Sequence, residues 1–190
     1  SPCSNLRLDE IISLARKRGL DGVAVTDHNS MACRREITEG LQENGVCLLV
    51  GMEYDTPEGD FLLFGSFEDL KPGLSASNLL RLVEDRQGVA VGAHPCREGR
   101  SLQPEILSLG VCRIIEGLNG RNSDVENNRV EQLRGQYPIF QCGGSDAHSL
   151  EELGRTATCF EGKITSREEL IAALKKGRYR PVRESQGSHL

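Results

Sequence analysis

Residues 22–29 read G-V-A-V-T-D-H-N, a β-branched run that ends in a carboxylate and an imidazole. The apolar part, residues 22–26, suits a strand buried on both faces, as parallel sheets require. Upstream, Leu8, Ile11, Ile12 and Ala15 recur at helical spacing, and Gly19 follows the basic turn Arg16 to Arg18, where a helix C-terminus would sit. Downstream the alternation repeats. The pattern predicts a helix over 31–43, a strand over 46–52 and a further strand over 60–67. It then predicts a helix over 75–86, a strand over 89–93, a short helix over 103–109 and a strand over 112–118. A helix over 123–134, a strand over 139–142 and a last helix over 166–176 complete it, with Ser166 and Glu169 spaced as a capping box. Strands alternating with helices along the whole chain predict an α/β protein with a parallel sheet, closed as a barrel or doubly wound.

The 190 residues fit one domain, 1–190, able to bury a single sizeable core. The longest apolar runs, such as 46–50, are far too short to span a bilayer, so no membrane association is expected. Seven cysteines, Cys3, Cys33, Cys47, Cys96, Cys112, Cys142 and Cys159, contain no C-x-x-C pair and suggest a reduced, cytoplasmic setting. Cys47, Cys112 and Cys142 fall in apolar strands and read as small core residues, not nucleophiles. The net charge of -5 argues against a broad footprint for duplex nucleic acid, which needs many Lys and Arg contacts to phosphate. A small phosphorylated ligand needs only a local positive site.

Residues able to bind metals fall at the C-terminal ends of the predicted strands. Asp27 and His28 follow 22–26, Glu53 follows 46–52, and His94 follows 89–93. Glu116 and Asn119 end 112–118, and Asp146 and His148 follow 139–142. In a parallel barrel those ends open on one face, so these groups would converge. A single Asp or Glu at a strand end is commonly a helix cap, and a single His there is commonly structural. Five ligand-type residues at matching ends point instead to a metal site of imidazole and carboxylate, the mix favoured by zinc, iron and manganese. His189, beside the C-terminus, reads as solvated tail.

At these positions the chain resembles the PHP (polymerase and histidinol phosphatase) superfamily. The matching motifs are T-D-H-N at 26–29, G-M-E at 51–53, A-H-P-C-R at 93–97, I-E-G-L-N-G at 115–120 and G-S-D-A-H at 144–148. L-G-R-x-x-T at 153–158 and L-x-x-G-R at 174–178 resemble the small stand-alone members. The resemblance implies a distorted (β/α)7 TIM-like barrel holding two or three divalent metal ions, zinc, manganese or iron. It implies that His28 and His148 ligate one metal, Glu53 bridges two, and His94 and Asp146 ligate the second and the first. Asp27 would orient a ligand, and Arg97 and Arg121 would bind substrate phosphate by forked hydrogen bonds. The family normally opens with a D-x-H-x-H strand, which this sequence does not contain, so the domain is expected to be incomplete at its N-terminus; Cys3 falls near a third-metal ligand of some members.

The activity implied is hydrolysis of a phosphate ester, a phosphomonoester or nucleotide phosphate, by a metal-bound hydroxide, with Asp146 and His148 in the catalytic set. The substrate would be small and phosphorylated, possibly a nucleotide. A nuclease-like phosphodiesterase and a catalytically inactive metal-binding module are the alternatives.

Overall fold

A computed structural model describes Ser4 and residues 6–183. Helix α1 (Leu8–Lys17) carries Asp9 and Glu10 in its first turn and Arg16 and Lys17 in its last, charges that complement the helix dipole. Its face Ile11 and Ala15 is buried against Val46 and Leu153. Strand β1 (Gly22–His28) runs parallel to β3 (Cys47–Thr56), in a register that pairs Gly22 with Cys47 and His28 with Glu53. Strands β4 (Gly59–Phe64), β5 (Val89–Gly92), β6 (Ile114–Asn119) and β7 (Phe140–Gly144) continue the sheet in the order β1-β3-β4-β5-β6-β7. Helices α2 (Ala76–Asp85), α3 (Pro104–Ser108) and α4 (Asp124–Arg134) lie in the connections between them.

The structure bears out an α/β fold but not an all-parallel sheet, nor a closed (β/α)7 barrel. Strand β4 is antiparallel to both β3 and β5. Only Pro57 and Glu58 separate Thr56 from its partner Gly59, and a parallel crossover needs a dozen residues or more. The sheet is a curled half-barrel with β1 and β7 as its edges, and among the described residues no ladder joins them. Beyond β7, strands β8 (Thr156–Phe160) and β9 (Tyr179–Arg183) pair antiparallel around helix α5 (Arg167–Lys176). They dock on β7 through side chains: Thr158 Oγ1 accepts from Gly143 N at 3.0 Å and donates to its carbonyl at 2.8 Å. Both strands are absent from the sequence-based expectation, because neither has a continuous apolar run.

The helix expected over 31–43 is also corrected. A four-residue 3-10 turn (Ala32–Arg35) leads to a two-residue strand, β2 (Gly40–Leu41), antiparallel to β3. Glu39 explains the extension. Its carboxylate accepts from Val50 N at 2.7 Å and is paired with Arg167, a residue 7% exposed at the start of α5. Those tertiary partners outweigh a helical pattern with no cap of its own. At α5, Ser166 accepts from Glu169 N, and the Glu169 carboxylate bonds chiefly Thr165 N and Oγ1, with a weaker interaction with the Ser166 backbone. A fully reciprocal capping box starts α4, between Ser123 and Glu126.

Candidate metal centre

The register His28↔Glu53 sets the two side chains at one height on adjacent strands. Glu53, 7% exposed, directs Oε1 to His94 Nε2 at 3.1 Å, while its Oε2 lies 3.9 Å from His28 Nδ1. One carboxylate therefore sits between two imidazoles. Asp60 completes this half. It lies diagonally across the β3–β4 ladder from Glu53, on the same face, because Glu53 pairs with Leu62 and side chains alternate with period two. Its Oδ2 is 3.5 Å from His94 Nε2, and Glu53, Asp60 and His94 offer ligand atoms all within 4.8 Å of one another.

A hydrogen-bonded frame fixes the other half. Glu116, fully buried on β6, accepts from His94 N at 2.8 Å and from Asn119 Nδ2 at 2.8 Å through the same oxygen. Asn119 is held in turn by Asn127 of α4, which accepts from Asn119 N at 2.9 Å and donates to its carbonyl at 3.1 Å. Arg97 donates to Asn122 Oδ1 and Asn119 Oδ1, each at 2.9 Å, and to Asp146 Oδ2 at 2.6 Å. His148 folds back so that Nδ1 is 3.0 Å from the Asp146 carbonyl, with Arg121 Nη1 3.1 Å away. Gly144 passes so close to Glu116 that a Cβ would collide with the carboxylate, which gives a packing reason for a glycine that carried no signal as a motif. Of four non-glycine residues with positive φ among those described, Asn29, His94 and Asp146 lie in or beside the site. Such strain persists where surrounding contacts over-determine the backbone.

Electrostatics favour a cation here. Burial pushes the Asp60 carboxyl up, against the pull of Arg100, and burial also raises Glu116. Burial opposes a charged His94, but Glu53 and Glu116 outweigh it and its pKa is raised. Three buried carboxylates around one imidazole concentrate negative charge in a low-dielectric region, which is unfavourable without a compensating cation. His28 Nδ1 and His94 Nδ1 are buried with no hydrogen-bond partner among the described residues, whereas Asp60 Oδ2 is ion-paired with Arg100 Nη2 at 2.8 Å. Nitrogen and carboxylate donors in this arrangement fit zinc, manganese or iron. The thiols do not compete: burial raises Cys33, which also faces Asp27, to about 11, and Cys112 to about 11.

Every residue expected to hold metal, namely His28, Glu53, His94, Asp146 and His148, lines one cleft of about 1190 Å3 between β1 and β7. Arg97 and Arg121 are not among the lining residues but contact two of them, Asp146 and His148. Asp60 was not anticipated from the sequence. Cys3 and His189 lie outside the described residues.

A curled α/β sheet that gathers imidazoles and carboxylates at one rim offers the donor set that divalent metals take. The PHP domain family model matches residues 1–93, and the PHP-associated model matches 125–179. These two matches identify the chain as a PHP-domain protein. It is 33% identical over 85 residues, 45% of its length, to an uncharacterized protein of Methanocaldococcus jannaschii, and spans half of that relative. Among solved structures, PsfC from Pseudomonas syringae superposes with TM-score 0.76 at 19% identity, over 94% of this chain and 83% of that one. A candidate metal-dependent phosphoesterase from Bifidobacterium adolescentis gives TM-score 0.62 at 19% identity, over 88% and 90%. Endonuclease Q, in complex with a duplex bearing an abasic lesion, gives 0.69 at 20% identity, over 93% of this chain and 54% of that one. The argument from net charge against duplex nucleic acid gains no support, since a neighbour of this fold takes a duplex. Among the described residues no helix is long and apolar enough to cross a membrane.

Proposed function

We propose that the chain hydrolyses a phosphate ester, a phosphomonoester or nucleotide phosphate, at divalent metals held by His28, Glu53, His94, Asp146 and His148. The observation that carries this reading is the Glu53 carboxylate, set between His94 Nε2 at 3.1 Å and His28 Nδ1 at 3.9 Å in a cleft shared with Asp146 and His148. Divalent ions so held supply Lewis acidity to the phosphoryl group and make water nucleophilic at neutral pH. The protein's part is to keep its ligands still before substrate arrives. Glu116 fixes the His94 backbone, and Arg97 fixes the Asp146 carboxylate. With Nε engaged by Asn122 and Nη2 by Asn119 and Asp146, Arg97 acts as a positioning residue in this reading. Phosphate binding then falls to Arg121, whose side chain is 40% exposed beside His148.

The likeness to endonuclease Q motivates a second reading, hydrolysis of a phosphodiester. Metal-reconstituted protein assayed on 4-nitrophenyl phosphate and on bis(4-nitrophenyl) phosphate separates the two. Turnover of the monoester above the diester is expected. The reverse preference establishes the phosphodiesterase reading, and turnover of neither by fully metallated protein leaves an inactive metal-binding module.

A further inference from the structure

We propose that Asp55 is a positioning residue of the metal centre, and that with Asn29 it holds the His28 ring so that Nδ1 carries its proton toward Asp55 and Nε2 is left as the ligand atom. This rests on the reading of His28 as a metal ligand.

One side chain locks the ends of β1 and β3 together. Asn29, the first residue past β1, donates from Nδ2 to Asp55 Oδ2 at 2.8 Å and accepts from Asp55 N at 3.1 Å through Oδ1. Exchanging the two amide atoms would set an NH2 against the Asp55 N–H, so the pairing fixes the orientation of the amide. The Asn29 backbone N donates to the Glu53 carbonyl at 2.7 Å, just beyond the His28–Glu53 pair. That turn puts Asn29 at φ 50, a left-handed conformation that asparagine tolerates better than most residues. Arg100 Nη2 donates to the second Asp55 oxygen, Oδ1, at 3.1 Å. Asp55 is therefore held by both oxygens.

The held carboxylate faces an orphan. His28 Nδ1 is buried with no hydrogen-bond partner among the described residues, and a buried ring nitrogen left unpaired is costly. Two carboxylate oxygens face it, Asp55 Oδ1 at 3.5 Å and Glu53 Oε2 at 3.9 Å. Glu53 is already engaged, with Oε1 3.1 Å from His94 Nε2. Asp55 Oδ1 keeps a lone pair after accepting from Arg100, and a small rotation of the imidazole closes the 3.5 Å gap. Asp27, the neighbour of His28 in sequence, is bonded to the Cys33 thiol. A neutral imidazole carries its proton on one nitrogen only. A proton on Nδ1 leaves the Nε2 lone pair free, and His28 lines the cleft where an ion would take it. A carboxylate behind a ligating histidine in this way fixes the ring and makes its ligand nitrogen more basic.

The test reads the tautomer as well as the metal. A long-range proton–nitrogen correlation spectrum of metal-free protein, at about pH 8 where an ordinary imidazole is neutral, shows which ring nitrogen carries the proton. The chain has four histidines, and the His28 signals are identified by their loss in His28→Gln. Wild type should carry the proton on Nδ1, and Asp55→Ala should shift it toward Nε2. Calorimetric titration with zinc should show binding at least about 10-fold weaker in Asp55→Ala, and weaker than wild type in Asn29→Gly, which keeps the left-handed backbone. The Asp55 side chain is 42% exposed, so its removal should leave the circular-dichroism spectrum unchanged. A carboxylate that only closes the end of the β1–β3 pairing would lower stability and move neither readout. A wild-type proton on Nε2, or unchanged zinc affinity in Asp55→Ala, overturns the proposal; should Asp55→Ala unfold, the wild-type tautomer decides alone. Full zinc affinity in His28→Gln would instead sink the reading of His28 as a ligand and the proposal with it, so the two failures are distinguishable.

Discussion

Arg97 holds Asp146 by a 2.6 Å ion pair that joins the loop after β5 to the loop after β7. Two loops 49 residues apart in sequence are thereby locked across β6, with Asn119 as the shared acceptor. Removing the guanidinium leaves a largely buried carboxylate without its cation. Arg97→Ala should lose about 1.5–3 kcal/mol of stability, as for a hydrogen bond to a charged group, and should retain less metal than wild type. Denaturant melts and elemental analysis of the purified variant check both; unchanged values for both would mean that the pair positions nothing.

Glu53→Gln should separate metal binding from folding. The side chain adds little apolar contact to the core, and the amide keeps its shape but not its charge. Circular dichroism should match wild type while metal content falls at least about 10-fold. A variant with wild-type metal content would show that Glu53 is not the central ligand.

Far from the cleft, Arg167 tests the corrected reading of residues 31–43. It is paired with Glu39 and donates to the Gly65 carbonyl at 3.1 Å, in a buried position. Arg167→Ala leaves the largely buried Glu39 carboxylate with only Arg34, whose Nε is 3.4 Å from Oε2, and should cost about 1.5–3 kcal/mol. Zinc affinity of the folded fraction should stay at the wild-type value. A loss below about 1 kcal/mol would place Glu39 and Arg167 in water rather than in this pair.

The pH dependence of Glu116 has a definite sign. Burial raises its folded-state pKa above the ordinary carboxyl value of 4.5, so protonation favours the metal-free fold. Any stability tied to that proton is complete below about 4.5 and is lost as pH rises through the folded-state value. Glu116→Gln cannot titrate, yet its amide oxygen can still accept from His94 N and Asn119 Nδ2. In metal-free protein the variant should therefore gain on wild type as pH is raised from 4 to 7.5, measured as the difference in urea midpoints. A difference constant across that range would place Glu116 outside the low-dielectric frame described here.

The sequence by itself determined the α/β class and named five of the residues that the folded chain brings to one cleft. Alternation of apolar runs with helical spacing set the βα order, because burial periodicity is a local property of the chain. Matching motifs at 26–29, 51–53, 93–97 and 144–148 marked His28, Glu53, His94, Asp146 and His148, and the structure gathers all five around one cleft. Strand direction was decided only in three dimensions. The rule that sites form at strand C-termini holds for parallel strands, whereas β4 runs the other way, so Asp60 reaches the same rim from a strand's beginning. The use of each charge was also tertiary. Arg97 stands three residues past His94 in a motif that suggests phosphate binding, yet it turns inward because Asp146, Asn119 and Asn122 converge on it from other elements. Glu39, on a stretch with helical spacing, is drawn out by Arg167 from 128 residues away. Hydrophobic pattern is written locally, but which acceptor a charged side chain finds depends on neighbours that only the folded chain supplies.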